Sequence, residues 1–107
     1  QQLYHSWGIR IPDINCSYLT SAVGVVYGTS QKLAIRKEIL QAVSEQYGVS
    51  VSAVDSGIRR MIDQLEAKPD EGWMQFKAES GFEAEKPTTG KLIYAVKRYL
   101  IQQKSRE

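Results

Sequence analysis

The chain has 107 residues, 42% of them hydrophobic and 24% charged, with fourteen Lys/Arg, twelve Asp/Glu and a formal net charge of +2. That length suits one modest core rather than two, and no apolar run approaches the roughly 20 residues a membrane-spanning helix needs, so neither a membrane segment nor a signal peptide is expected. Cys16 is the one cysteine, which excludes an internal disulfide and a Cys-rich metal site and points to a reducing, cytoplasmic compartment.

In chain order, glycine and proline divide the sequence into helical blocks, and strand signals are scarce. A short first block, about Gln2 to Trp7, is closed by the Gly8 to Pro12 stretch. Asp13 is the expected N-cap of a second helix, in which Tyr18, Leu19, Ala22, Val23, Val26 and Tyr27 recur at helical spacing until Gly28. A third, from about Ser30 or Gln31, places Leu33, Ile39, Leu40, Val43 and Tyr47 on one side and Arg36, Lys37, Gln41 and Ser44 towards the other. It ends at Gly48. The fourth sets Val51, Val54, Ile58, Met61, Ile62 and Leu65 in one stripe and stops before Pro69. A fifth, about Gly72 to Glu79, gathers Trp73, Met74 and Phe76. The sixth follows Pro87-Thr88-Thr89, where a threonine caps a helix whose Leu92, Ile93, Val96, Tyr99 and Leu100 face inward. Six helices and no strand predict an all-α orthogonal bundle, a single domain over residues 1–107.

The third and fourth helices are joined by the few residues of YGVS, a glycine-containing bend of helix-turn-helix type. Gly48 supplies a permissive backbone, Val49 fills the gap between the helices, Ser50 or Ser52 caps the second of them, and Val54 and Ile58 anchor it. With Ser52 as the cap, Asp55 lies three residues on, as in a short capping box. Burying the apolar stripe turns Ser52, Asp55, Ser56, Arg59, Arg60 and Asp63 outward. Of these, Ser52, Asp55, Ser56, Arg59 and Arg60 are the candidate DNA-binding residues. Arg59 is suited to guanine O6 and N7, Asp55 to cytosine N4, the serines to base or phosphate, and Arg60 to a phosphate. The same residues also fit a solvated helix face with an i,i+4 ion pair between Asp55 and Arg59.

The run from Leu33 to Leu65, the aromatic helix after it and the closing EKPTTGKLIYAVKRYL resemble the C-terminal effector domain of the stage zero sporulation protein A family, the sporulation response regulators of endospore-forming bacteria. The likeness spans about His5 to Leu100. Val54, Asp55, Ile58 and Arg59 match the family's V-D/E-x-x-I-R, Lys86, Pro87 and Thr88 match its Lys-Pro-Thr, and SYLTSAVGVVYG is similar to the long helix ahead of the motif. The resemblance implies a six-helix domain that regulates transcription, its fourth helix in the major groove of double-stranded DNA. It implies a homodimer on promoter DNA that is monomeric or weakly paired without it, and a contact between RNA polymerase sigma factor and the Trp73 to Phe82 region. An acidic residue and an arginine facing DNA fall on Asp55 and Arg59. The family's other basic positions fall on Ser56 and Ala53, so its target sequence does not carry over. In the family a phosphoacceptor receiver domain precedes the effector domain, and the residues read here match the effector domain alone.

Charge is segregated along the chain. Residues 1–62 carry six Lys/Arg against four Asp/Glu, residues 63–85 two against seven, and residues 86–107 six against one. Basic ends around an acidic belt suit a domain with one surface for DNA and another for protein. Lys91, Lys97, Arg98, Lys104 and Arg106 form either a second phosphate-contacting surface or a solvated tail. His5 is the one histidine, TTGKL lacks the remainder of a phosphate-binding loop, and no acid-base or nucleophile constellation is assembled, so no enzyme, cofactor or metal is expected. The competing reading is a protein-interaction module, for a sigma factor or another polymerase partner, that has weak or lost DNA binding through Ser56 and Ala53.

Overall fold

A helix starts where a side chain can accept the N–H groups its first turn leaves unpaired. The computed structural model, which describes residues 2–106, has four such starts. After the short α1 (Gln2–Ser6), Asp13 accepts from the backbone N–H of Asn15 and Cys16 at 3.0 and 3.3 Å and opens α2 (Ile14–Tyr27). Ser50 accepts from Ala53 N–H at 3.0 Å and opens α4 (Val51–Ala67), which follows α3 (Gln41–Tyr47). Asp70 accepts from Gly72 N–H and opens α5 (Glu71–Ser80), and Thr88 accepts from Lys91 N–H at 3.1 Å at the head of α6 (Thr89–Arg106). Among the described residues there is no strand, and the expected all-α fold is the observed one.

One expectation about the helix-turn-helix is corrected and one open alternative is decided. Its first helix does not start near Ser30 but at a π-helical turn, Ile35–Leu40, that runs into α3. The carbonyl of Ala34 accepts from both Glu38 and Ile39 N–H at 3.1 Å, the second bond being the wide i+5 closure, while Glu38 reaches back to Ala34 N–H at 2.7 Å. Leu33 therefore lies ahead of the helix and is only half-buried. The cap of α4 is Ser50 and not Ser52, which puts Ala53 at the capping-box position and leaves Asp55 outside any box. Gly48 ends α3 in the left-handed conformation (φ 67°), and Val49 N–H closes back onto Ser44 O at 3.0 Å, so the turn is the three residues Gly48, Val49 and Ser50.

The core lies where α2 crosses α4 and α6. Leu19, Ala22 and Val26 of α2 meet Val54 and Ile58 of α4 and Leu92 and Ile93 of α6, all fully buried. Gly57 permits the α2–α4 approach, since a Cβ there would lie 2.4 Å from Asn15 Oδ1. The radius of gyration, 13.2 Å, is that of one compact domain of about 100 residues. Some details depart from the helical pattern. Tyr27 is exposed, Tyr47, Val51, Tyr99 and Leu100 are only half-buried, and Ser44, expected on the polar side, is buried with its hydroxyl donating to Gln41 O at 2.8 Å. A buried polar group with a backbone acceptor one turn back costs little, so the helix tolerates it.

At the far end of α4 an aromatic cluster fixes α1 and α5. Trp7 packs edge-on against Trp73 at 4.9 Å and tilts against Phe76 at 5.0 Å. Backbone contact at this joint is so close that a Cβ on Gly72 would lie 1.7 Å from Ser6 O. Glu66 of α4 accepts from the Trp73 indole at 2.8 Å and from Lys77 Nζ at 2.9 Å, and Lys77 is 6% exposed. Burial pushes the Glu66 carboxyl up, but the hydrogen bonds from Lys77 and Trp73 and the Lys77 charge outweigh it and hold the group below its ordinary value. Tyr4 donates to Cys16 O at 3.2 Å and shares a 2.7 Å bond with Thr20, and burial raises its phenol to about 12.

Candidate nucleic-acid interface

The outward side of α4 is set by its inward side. With Val54, Ile58, Met61, Ile62 and Leu65 buried, helical geometry leaves Ser52, Ser56, Arg59, Arg60 and Asp63 on the opposite edge, and all five are exposed. Ala53 is exposed beside them, so no basic residue stands at that position or at Ser56. Of the five candidate residues, Ser52, Ser56, Arg59 and Arg60 thus share one accessible edge, and the fifth does something else.

Asp55 is a junction and not a free acceptor. Its side chain is 13% exposed, and both carboxylate oxygens are engaged. Oδ2 accepts from Arg36 Nη1 at 3.1 Å and pairs with Arg59 Nε at 3.3 Å, while Oδ1 accepts from the Thr89 hydroxyl at 3.1 Å. Three elements meet on this one side chain: the π-helical turn through Arg36, α4 through Arg59, and the head of α6 through Thr89. Asp55, expected to face cytosine, is engaged within the protein through these three contacts. Three of the roughly four acceptor sites of the carboxylate are taken, so a base amino group reaches Asp55 only through the remaining site on Oδ1 or by displacing a protein donor.

The cations it gathers are free on their other side. Arg36 is 57% exposed and Arg59 70%, so each guanidinium is anchored through one nitrogen and retains outward-facing donors. One carboxylate neutralises one of the two charges, and with Lys37 and Arg60 exposed nearby the edge remains positive. Such exposed ion pairs contribute about 0–1 kcal/mol to stability, so the cluster orients side chains more than it holds the fold. Below it an open groove of about 560 Å³ runs between α4 and the segment leading into α6, lined by Arg36, Asp55, Arg59, Lys86 and Thr88. Lys86 pairs with Asp63 across it.

Arg36 is the residue the sequence reading passes over as a site. Its place on the polar side of the third helix was legible, but its reach to Asp55 depends on the π-helical turn, which no spacing rule announces. Cys16 is buried, 3.6 Å from Met61 Sδ, and burial pushes its thiol up, away from the thiolate that nucleophilic or metal-binding chemistry requires. Among the described residues no three His, Cys, Asp or Glu side chains gather as a metal site needs.

No protein-family model matches the chain, and no curated protein and no solved structure matches it either. The likeness to the sporulation regulators rests on the matching residues alone.

Proposed function

We propose that the protein is a sequence-specific DNA-binding domain of transcription-regulator type, with α4 lying in the major groove. The observation that carries the proposal is the accessible edge of Ser52, Ser56, Arg59 and Arg60 on a helix whose neighbours leave it uncovered, with Arg59 held in place by Asp55. A helix of about 10–12 Å diameter fits a groove about 12 Å wide. In that position Arg59 is the base reader and donates to guanine. Arg36 and Arg60 take phosphates on either side, and the serines sample base edges or the backbone. The resemblance adds a homodimer on promoter DNA and a cytoplasmic, sporulation-type setting. Among the described residues no helix is long and apolar enough to cross a membrane.

The test selects bound sequences from a random duplex pool and compares the selected duplex with a scrambled one. Arg59→Ala is expected to weaken binding to the selected duplex by about 1–3 kcal/mol, the cost of one bidentate base contact, and to weaken binding to the scrambled duplex far less. Equal losses on both would remove Arg59 from base reading. A second reading, a protein-interaction surface for a polymerase partner such as a sigma factor, would use α5, whose Met74 is 56% exposed. Met74→Glu separates the two readings: it abolishes a protein contact there and leaves duplex binding unchanged.

A further inference from the structure

The basic residues of α6 do not form one tail. Lys104 lines an apolar groove against α1 and α2, whereas Lys91, Lys97 and Arg98 turn the other way. With Lys32, from the segment before the π-helical turn, these three line an open groove of about 610 Å³. Among the described residues Glu85 is the one carboxylate lining it, and Glu85 is taken by Lys91 at 2.6 Å. Lys97 is held in place rather than loose. Its ammonium donates to Thr29 O at 2.9 Å and sits 5.9 Å from the Tyr94 ring centre. Lys32 and Arg98 are exposed, and among the described residues neither is in an ion pair.

This groove adjoins the one beneath α4. Ile35 and Gly90 line both, and they lie close together: a Cβ on Gly90 would be 3.0 Å from Ile35 Cδ1. Positive charge therefore continues from Arg59 and Arg36 past the head of α6 to Lys32 and Arg98. From Lys91 to Arg98 the helix rises about 10 Å, a length over which one DNA strand presents about three phosphates.

We propose that this groove is a second DNA-backbone contact, in which Lys32 and Arg98, with Lys97 beside them, receive phosphates flanking the segment occupied by α4. The inference rests on the DNA-binding reading of α4 and deepens it to a grip at two points. Contacts of this kind fix the register of the base-reading helix and carry no sequence information of their own. An acidic peptide is the competing occupant. A strand of regularly spaced charges leading out of the neighbouring groove fits the continuous track better.

The experiment uses the double variant K32Q/R98Q and the single variant K32Q, with unchanged thermal melts as the check on folding. Binding is measured against potassium chloride concentration on two duplexes carrying a selected sequence, one with long flanks and one trimmed to the segment beneath α4. On the long duplex the slope of log affinity against log salt is expected to shrink by about 1.8 for the double variant and by about 0.9 for K32Q. On the trimmed duplex it is expected to stay unchanged. The preference for the selected over the scrambled sequence is expected to persist. An unchanged slope on the long duplex overturns the inference, as does an equal change on both lengths, and so does a loss of polyglutamate binding without any loss of duplex binding. If the wild-type chain binds no duplex at any salt concentration, the reading of α4 falls and the second contact with it. If Arg59→Ala loses the preference for the selected duplex while K32Q/R98Q leaves the salt slope unchanged, the second contact alone is lost.

Discussion

Two carboxylates on α4, Asp55 near its start and Glu66 near its end, each draw cationic or polar partners from other elements. Glu66 takes the ammonium of a lysine whose side chain is buried and an indole that is buried, so its partners have nowhere else to go. Asp55 takes two guanidiniums that are 57% and 70% exposed, so its partners are steadied and still open to something outside. The same chemistry serves the fold at one end of the helix and presentation at the other. What separates them is the burial of the cation rather than that of the carboxylate, since Asp55 is the less exposed of the two acids.

The comparison can be broken or sharpened in order of expected effect. Gly72→Ala, which drives a Cβ into the Ser6 carbonyl, is expected to cost about 3 kcal/mol in urea unfolding and to leave the DNA affinity of the folded fraction untouched. Glu66→Gln strands the Lys77 ammonium in the interior. The expected loss is about 2 kcal/mol, less than for a fully buried pair because Glu66 is 24% exposed. The depressed Glu66 carboxyl adds a pH signature. Its contribution is complete above the unfolded value, about 4.3, and disappears as pH falls through the lower folded value. The stability gap between wild type and Glu66→Gln should therefore narrow below about pH 4, and a gap that widens in acid would contradict the assignment.

At the presenting end the stability effects should be small and the binding effects large. Asp55→Asn is expected to cost less than ~1 kcal/mol in stability. It is also expected to tighten binding to random duplex and to reduce the selected-over-scrambled preference by about 1 kcal/mol, because Arg59 loses the group that orients it. Should Asp55→Asn instead unfold the chain, the two ends would not differ in kind. The smallest expected effect is that of Arg60→Ala, a decrease of about 0.9 in the salt slope with the preference intact.

Most of the fold was legible because its signals are local. Asp13, Gly48 and the Val54–Ile58–Met61–Leu65 spacing each act within a turn or two of themselves, and the helices they delimit are the ones found. The cap of α4 stays open between Ser50 and Ser52 in the sequence, because two serines satisfy the same local rule. The choice between them follows from where α3 ends. The candidate edge of Ser52, Ser56, Arg59 and Arg60 was likewise readable from a helical wheel. The employment of Asp55 was not, because Arg36 and Thr89 reach it from 19 and 34 residues away in the chain. Tyr27 was misplaced for a similar reason: periodicity says which side of α2 it is on, but not that the neighbouring elements stop short of covering it.

The wide turn at Ile35–Leu40 holds one more residue than an ordinary helical turn would, and everything ahead of it in the chain is phased by that surplus. Deleting a single residue there would restore ordinary winding and swing the preceding segment by about 100° around the helix axis, taking Lys32 and Arg36 off their present bearings while α4 stays where it is. The spatial bearing of one bank of positive charge relative to the other is thus set by a count of one, and a lone insertion or deletion suffices to dial it.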